Sequence, residues 1–355
     1  EMAALWGNRE RARQLLQFFV ELYKITPYPD ARLSLTTARA CIFLNRFQDA
    51  NDLFEDASRQ MSTDWRVFVR WGNLFLDKYN FADALITYKD ALRLNPHAVD
   101  AQIGIARSNE QSDPQSNPDI VKSLLEKHPD RIDVLNYAAH WSLESGDRDK
   151  ANEHIKKALK IAPQHLESLT LQAKYHLLQK DKSTFDELAQ NILKINPGYS
   201  QIFTEAGDVL ARRYLFREAV VEYRRALDID PNDVRALAGL GTTLSRLADL
   251  DNAISSLEKA FALDPYNVWT KNLLDLFDSY KDYEIIETEH FRIRLHKEDA
   301  DVVGPYAAEL AEAAYRSMVP RYKVNIDFPV TIEIFPSHDD FAVRCFGLPG
   351  SRAFL

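Results

Sequence analysis

Two histidines near the C-terminal end of the sequence, His290 and His296, are its most obvious candidate metal ligands. Histidine nitrogens bind zinc at about 2.1 Å. The alternation of apolar and charged residues from Phe291 to Leu295 predicts a strand. At about 3.3 Å per residue, that strand separates the two histidine backbones by about 20 Å. On a straight strand, the pair therefore cannot share one ion.

Other familiar sets of catalytic residues are missing from the sequence. It contains no HExxH, no glycine-rich phosphate loop and no GxSxG, the motifs that assemble zinc ligands, phosphate donors or an activated serine. The two cysteines, Cys41 and Cys345, give neither zinc-site spacing nor a disulfide framework, and we expect both to be buried thiols. We predict that these residues form no enzyme and bind no metal and no cofactor.

The composition excludes several classes of protein. A formal net charge of −9 disfavours a nucleic-acid partner, because such binding relies on clustered Lys and Arg. No long, uninterrupted apolar run is present, so no membrane-spanning segment is expected. The sequence begins at Glu1, and we infer that it starts inside a longer protein. If a signal was removed, a bacterial periplasmic or other extracytoplasmic location would follow.

A regular repeat organises most of the chain. Its clearest marker is a proline that recurs at one position of each unit: Pro96, Pro129, Pro163, Pro197, Pro231 and Pro265. Small residues and one large residue recur in the same frame: Gly72, Ala84, Tyr88 and Ala91; Gly207, Ala219, Tyr223 and Ala226; Gly241, Ala253, Leu257 and Ala260. The small residues let two helices approach closely, and the proline ends the second helix.

The spacing of about 34 residues between successive prolines, and the frame around them, resemble the tetratricopeptide repeat over about residues 1–270. The resemblance implies a mainly all-α superhelical solenoid of antiparallel helix pairs, which we place at residues 1–282. Two units are degenerate. Residues 97–129 contain a polar loop from Ser112 to Pro118 that should shorten the flanking helices. Residues 166–197 carry Phe185 and Ile192 where small residues are usual, so altered stacking is expected there.

In such an array the first helix of each pair normally lines a concave groove. Side chains four residues apart lie on one face of a helix. The resemblance therefore implies a groove lined by residues of mixed charge: Asn73, Asp77, Asn136, His140, Glu144, Lys174, Asp208, Arg212, Thr242 and Arg246. The asparagines and the lysine are too scattered for the repeated pattern with which some of these proteins hold a peptide carboxylate.

The C-terminal segment, residues 283–355, differs in character from the repeats. Alternating residues predict strands at 291–295 and 330–334, with a helix at 302–318 between them and another beginning after Ser337. A strand–helix–strand order makes the strands parallel if they pair directly. We therefore predict a small, incomplete α/β element at residues 283–355.

The C-terminal segment also resembles the start of a peptidase-MA-like (gluzincin) domain, from Glu289-His290-Phe291 through Phe341-Ala342-Val343-Arg344 to Gly347-Leu348-Pro349-Gly350. Bacterial proteins exist in which tetratricopeptide arrays flank such a domain. Its HExxH helix is absent here, so no zinc ligand or general base can be assigned.

Three functions remain open at this point. The first is a scaffold whose groove binds a protein or peptide partner. The second is a non-catalytic part of a larger zinc metallopeptidase whose HExxH helix lies beyond residue 355. The third is a structural spacer.

Overall fold

The computed structural model of the chain describes residues 9–110, 114–323, 326 and 329–349. Of the polar loop predicted to shorten two helices, Ser112 and Asp113 lie outside these residues, as does Gly350 of the C-terminal motif. The chain divides into two compact units, Glu1–Ala236 and Leu237–Leu355. The predicted boundary at residue 282 falls inside the second unit and stays a prediction.

Helices that pack in sequential pairs build the first unit. Helix α1 (Arg9–Ile25) packs on α2, and the pairs are α2 (Ala31–Phe43) with α3 (Phe47–Gln60), α4 (Trp65–Asp77) with α5 (Phe81–Leu94), α6 (Val99–Asn109) with α7 (Asn117–Lys127), α8 (Ile132–Glu144) with α9 (Arg148–Ile161), α10 (Leu166–Leu178) with α11 (Lys182–Ile195), and α12 (Gln201–Arg212) with α13 (Phe216–Ile229). Helices α6 and α7 have 11 residues each, against 13 and 14 in α4 and α5. The shortening predicted for this degenerate unit is therefore seen.

The second degenerate unit, by contrast, has helices of ordinary length. Helices α10 and α11 contain 13 and 14 residues. Phe185 and Ile192 are fully buried, so large side chains occupy the positions that small ones hold elsewhere. The altered stacking expected there remains a prediction.

Polar caps define where many of these helices begin. The side chains of Asp30, Asp64, Asn80, Asp147 and Asp181 each accept a hydrogen bond from a backbone N–H in the first turn that follows. Such a bond satisfies an N–H group that has no partner within the helix.

The turn inside six of the described pairs also follows the repeat period. A residue with positive φ recurs at Asn45, Tyr79, Gly146, Lys180, Tyr214 and Ala248. This left-handed conformation reverses the chain between the two helices and favours glycine. Only one of these six positions is a glycine, so the other five residues are held in it by the packing of the pair.

The recurring glycines make room for an aromatic ring. A Cβ atom placed on Gly72 would lie 2.7 Å from Cε1 of Tyr88, and one placed on Gly104 would lie 2.3 Å from Cζ of the same ring. Tyr88 is completely buried. The ring therefore fills the space between one helix pair and the next.

The second unit combines the last repeat helices with a small sheet. Its elements after α14 (Val234–Arg246), which begins in the first unit, are α15 (Leu250–Leu263), α16 (Val268–Ser279), β1 (Tyr283–Glu287), β2 (Phe291–His296), α17 (Lys297–Tyr322), β3 (Val330–Ile334) and α18 (His338–Phe346). Gly241 of α14 allows Leu257 of α15 to approach, since an added Cβ would lie 2.6 Å from its Cγ atom. Leu257 shares a core with Leu273 of α16 and Val343 of α18.

The sheet has the order β1-β2-β3. Strands β2 and β3 are parallel and are joined through α17, as the sequence predicts. Strand β1 pairs antiparallel with β2 and was not predicted. Helix α18 begins after Ser337, whose side chain accepts a hydrogen bond from the N–H of Asp340, as expected. Among the described residues, no helix has the length and apolar character needed to cross a membrane.

Candidate functional site

One row of polar side chains crosses the first helix of five successive pairs. Its members are Asn73, Arg107, His140, Lys174 and Asp208, on α4, α6, α8, α10 and α12. Successive members follow one another at the repeat period of about 34 residues, so each occupies the same position in its repeat. Each of the five lines at least one of two cavities in the first unit.

The first cavity, here called cavity A, has a volume of about 430 Å³. Three arginines and three carboxylates line it together with apolar and neutral side chains: Arg66, Arg70, Arg107, Asp100, Asp133, Glu167, Trp65, Val69, Asn73, Leu76, Tyr88, Ile103 and Gly104. Its lining therefore carries no net charge.

The second cavity, cavity B, has a volume of about 330 Å³. Its lining is also balanced, with four cations, four carboxylates and five further residues: Arg107, Lys174, Arg212, Arg235, Glu110, Glu167, Glu205, Asp208, Leu76, Phe81, His140, Leu171 and Gln201. Leu76, Arg107 and Glu167 belong to both cavities. The two cavities are therefore neighbouring parts of one groove.

A hydrogen bond fixes the orientation of Asn73 in cavity A. The hydroxyl of Tyr88 donates to Oδ1 of Asn73 over 2.7 Å. Because the Asn73 oxygen accepts this bond, the other end of the amide is its NH₂ group, which can donate to a ligand. Burial raises the pKa of Tyr88, so the phenol stays protonated and keeps the amide in this orientation.

A buried ion pair lies at the wall of cavity B. Nζ of Lys174 is 3.1 Å from Oε2 of Glu205, and the two side chains are only 6% and 15% exposed. Burial tends to raise the pKa of the Glu205 carboxyl, but the positive charges of Lys174 and Arg235 outweigh that effect and lower it to about 2. The Glu205 carboxylate is therefore charged at neutral pH.

A second ion pair is built on Asp208 of the polar row. Its carboxylate accepts from Nη2 of Arg235 over 2.6 Å and from the hydroxyl of Tyr223 over 2.8 Å. Tyr223 is the buried ring that lies against Gly207. The repeat core and the groove surface are thus connected by one hydrogen-bonded chain.

Arg107 is held less tightly than these two pairs. Its Nη2 atom is 3.4 Å from Oε1 of Glu167, and the two side chains are 45% and 46% exposed. The guanidinium carbon lies 5.9 Å from the centre of the Tyr137 ring. Because an exposed pair of this kind contributes little stability, Arg107 can exchange its partner at small cost.

His140 faces a carboxylate in cavity B. Its Nε2 atom is 3.6 Å from Oε1 of Glu110, and its ring stacks on Tyr137 with centres 6.3 Å apart. Burial alone would raise the pKa of Glu110, but its contacts with His140 and Tyr137 lower it overall. At neutral pH the groove therefore presents a carboxylate here.

The structure distributes the predicted lining residues over several environments. Asn73 lies in cavity A, while His140, Lys174, Asp208 and Arg212 lie in cavity B. Glu144 accepts from Arg212 over 3.0 Å at the surface. Asp77, the last residue of α4, is exposed and lines neither cavity. Binding by these residues stays a prediction.

Three of the predicted residues have other surroundings. Asn136 is buried, and its Oδ1 accepts from the Ser168 hydroxyl over 2.7 Å, so it ties α8 to α10 instead of facing the groove. Thr242 and Arg246 belong to the second unit. Arg246 donates to the backbone carbonyl of Cys345 over 2.7 Å.

Several groove residues were missed by the reading of the sequence. Arg107 fills the same repeat position as Asn73, so the period itself could have identified it. It lies in the degenerate unit at residues 97–129. The carboxylates Glu167 and Glu205 give no such signal, because they lie outside the polar row and are recognised only from their partners.

The two candidate metal-ligating histidines have separate structural roles. His296 caps α17 by accepting from the N–H of Glu298. His290 stacks on Tyr315, with ring centres 3.7 Å apart, and its Nδ1 is 2.9 Å from Oε2 of Glu312. Hydrogen bonds from Thr288 and His290 lower the pKa of Glu312 to about 2, so its carboxylate anchors the β1–β2 turn to α17.

Glu289 completes a group of three potential ligands with His290 and Glu312, whose ligand atoms lie within 4.8 Å of one another. However, the Glu289 side chain is 84% exposed, and Glu312 already accepts from Thr288 and from the N–H of His290. These contacts explain the arrangement without an ion. The prediction that the chain binds no zinc stays a prediction.

The cysteines also differ from expectation. Cys41 is buried, and burial raises the pKa of its thiol. Cys345 is only partly buried, so the expectation of two buried thiols was wrong for this residue. It lies in the last turn of α18.

Comparison with known proteins confirms the repeats. Tetratricopeptide repeat families match residues 69–131 and residues 234–267. The mainly all-α fold of paired helices with a small sheet near the C-terminal end therefore agrees with the prediction. No family found by this comparison supports the peptidase-MA-like resemblance of the C-terminal segment, and no curated protein matches the chain.

Solved structures with a similar course of the chain are distant in sequence. One is a chain in the crystal structure of the APC/C hetero-tetramer Cut9-Hcn1, with 14% identity and a TM-score of 0.47 over 75% of this chain and 53% of that one. A second is a tetratricopeptide repeat protein from Parabacteroides merdae, with 12% identity and a TM-score of 0.45 over 69% of this chain and 97% of that one. A third is PilF of Pseudomonas aeruginosa, with 18% identity and a TM-score of 0.37 over 57% of this chain and 92% of that one. This chain spans about half the length of the first of these, at 53%.

Proposed function

We propose that the chain is a protein-interaction scaffold whose groove, formed by cavities A and B, holds an extended segment of a partner protein. Tetratricopeptide repeats in general serve protein interaction, and the matches at residues 69–131 and 234–267 support that class of function. The observation that carries the proposal is the sharing of Leu76, Arg107 and Glu167 by both cavities. A segment that occupies both must pass Arg107.

The charges of the groove favour a partner segment of mixed charge. Cations and carboxylates are equal in number in each lining. A strongly charged ligand of either sign would therefore meet as much repulsion as attraction. A segment with both signs, or with neutral polar side chains that bond to Asn73 and Gln201, fits this lining. Its affinity should change little with salt, because the attractive and repulsive charge interactions are screened together.

The proposal can be tested with peptides displayed on phage. Peptides long enough to span both cavities are selected on the intact chain and then measured by fluorescence anisotropy against two charge-reversed variants. Arg107→Glu changes the shared part of the groove. Arg224→Glu changes an exposed arginine in α13, the second helix of its pair, and serves as the matched control.

We expect Arg107→Glu to weaken the selected peptides at least tenfold, because it replaces the cation at the centre of the groove by a like charge beside Glu167. Arg224→Glu should leave the affinity unchanged. Peptides that bind Arg107→Glu as tightly as the unmodified chain would show that the groove is not the binding surface.

The alternative role, as a non-catalytic part of a zinc metallopeptidase, rests on the resemblance of the C-terminal segment alone. None of the contacts described for β1, β2, β3, α17 and α18 favours it over a purely structural element. The scaffold role is therefore the one that the groove supports.

A further inference from the structure

We propose that α17 is a self-association surface, on which a second copy of this chain packs its own α17 in the antiparallel direction. The first observation is an exposed apolar stripe. Val302, Tyr306 and Leu310 are 79%, 69% and 56% exposed. Since each residue advances a helix by about 100°, Val302 and Leu310 lie about 40° on either side of Tyr306.

The stripe continues toward the end of the helix. Ala313 and Ser317 lie within about 20° of Tyr306, and Pro320 within about 40°. All three are exposed. The stripe is thus about five turns long, and a small residue, Ala313, lies near its middle, where two helix backbones would approach most closely.

The rest of α17 is already used by the sheet. Ala300, Gly304 and Ala311 are buried on the opposite face. A Cβ placed on Gly304 would lie 2.3 Å from Cδ1 of Ile286 in β1. Ile293 and Leu295 of β2 complete this small core. The exposed stripe is therefore additional to the packing that holds α17 in place.

The charges beside the stripe identify the occupant. Glu309 and Arg316 lie about 60° and 80° to the same side of Tyr306. Both are exposed, and within the described part of the chain neither forms an ion pair. A two-fold axis perpendicular to the helix between residues 312 and 313 places Glu309 of one copy opposite Arg316 of the other. The arrangement forms twice, since the interface is isologous.

The ends of the helix agree with the same arrangement. The first turns contain Glu298, Asp299 and Asp301, and the last turn contains Arg321. Antiparallel pairing in this register brings Asp301 of each helix within about one turn of Arg321 of the other along the axis, and Glu298 and Asp299 within about two turns. It also aligns the helix dipoles favourably. A parallel pair would place like charges together, so the charges favour the antiparallel one.

The size of the stripe predicts a weak complex. Each copy contributes on the order of 400 Å² of exposed apolar surface, within the range found for functional patches on monomers. Two copies would bury roughly 800–1,000 Å², below the size of a standard stable interface. We therefore expect a dissociation constant on the order of tens of micromolar.

Sedimentation velocity on the intact chain, from low micromolar to several hundred micromolar concentrations, tests the proposal. The average mass should rise from 40.8 kDa toward twice that value. Tyr306→Ser should weaken the association at least tenfold. Tyr322→Ser is the matched control, because Tyr322 is 62% exposed on the same helix but lies about 160° away from Tyr306.

Charge reversal gives the sharper result. Glu309→Arg and Arg316→Glu should each weaken the association several-fold, and the double variant should restore it, because each copy then presents the opposite pair. All these positions are exposed, so circular dichroism should show an unchanged fold. A chain that stays monomeric at the highest concentration overturns the proposal. So does a dimer that responds equally to Tyr306→Ser and Tyr322→Ser, or one that the double variant does not restore.

Discussion

Gly207→Ala tests the close helix contact on which the repeat packing depends. The added Cβ would lie 2.6 Å from Cε1 of Tyr223 and 2.8 Å from its Cζ, closer than carbon atoms can pack. The ring cannot move away easily, because it is buried and its hydroxyl is bonded to Asp208 over 2.8 Å. The Asp208 carboxylate is held in turn by Arg235.

The magnitude follows from two opposing terms. Overpacking in a filled core costs about 1–3 kcal/mol, while replacing glycine by alanine within a helix gains about 1 kcal/mol. Because the buried, hydrogen-bonded ring of Tyr223 cannot yield, we expect an overpacking cost of about 2–3 kcal/mol, which leaves a net loss of about 1–2 kcal/mol. With a denaturant slope of about 2 kcal/mol/M, this lowers the urea midpoint by roughly 0.5–1 M. Gly207→Leu should cost more, since its larger side chain enters the same space.

The chain itself offers the matched rescue. In the pair α8–α9, the corresponding positions are Ala139 and Ile155, which pack in one core. Adding Tyr223→Ile to Gly207→Ala copies this combination, so the double variant should be more stable than the sum of the two single changes predicts, by at least about 1 kcal/mol. The unfolding of all variants is followed by circular dichroism in urea. An unchanged midpoint for Gly207→Ala, or additive effects in the double variant, would refute the reasoning.

Three further predictions concern charged groups. Glu205→Gln should remove a stabilising contribution at neutral pH, because the pKa of Glu205 in the folded chain is about 2, below its ordinary value of 4.5. That contribution is present above pH 4.5 and is lost as the pH falls toward 2. The free energy of unfolding should therefore depend less on pH in the variant than in the unmodified chain over that window. Glu333→Ala should destabilise the second unit by about 3–5 kcal/mol, because it leaves two largely buried cations, Arg294 and Arg344, without the carboxylate they share at 2.9 and 2.6 Å. Urea unfolding compared with Glu258→Ala, which changes an exposed glutamate of α15 in the same unit, checks this. Purified chain should contain no stoichiometric zinc by metal analysis, and one tightly held ion per chain would contradict the assignment of His290 and Glu312 to structural contacts.

The repeat was readable from the sequence because its packing uses residues with few substitutes. A ring such as Tyr88 needs a missing Cβ at Gly72 and Gly104, and only glycine provides that. The turns between the helices were not readable in the same way. Tyr79, Lys180 and Tyr214 adopt positive φ although none of them favours it, since the surrounding pair holds the backbone there.

Strand β1 was missed for a related reason. Its burial does not alternate: Tyr283 is buried, whereas Ile285 is 48% exposed. The strand forms because β2, which carries the clear pattern, offers an edge for antiparallel pairing. Its stability therefore comes from a neighbour and not from its own sequence.

The repeat period gives the positions of the groove residues but not their contacts. The polar row follows from arithmetic on the repeat, but the state of each member depends on a partner from another helix. Lys174 is held by Glu205 and Asp208 by Arg235, at 3.1 and 2.6 Å. A ligand would have to break a largely buried pair to recruit Lys174, at the cost of leaving a charge unpaired.

Arg107 is different, because its contact with Glu167 is longer, at 3.4 Å, and both side chains are nearly half exposed. Exchanging that partner for a group on a ligand leaves Glu167 in water, where a free carboxylate carries little penalty. Arg107, Lys174 and Arg235 each pair with a carboxylate that also lines cavity B. Of these three, Arg107 can therefore exchange its partner for a group of a bound segment at the lowest free-energy cost. Its place in both cavities makes it the position at which a substitution separates binding in the groove from binding elsewhere.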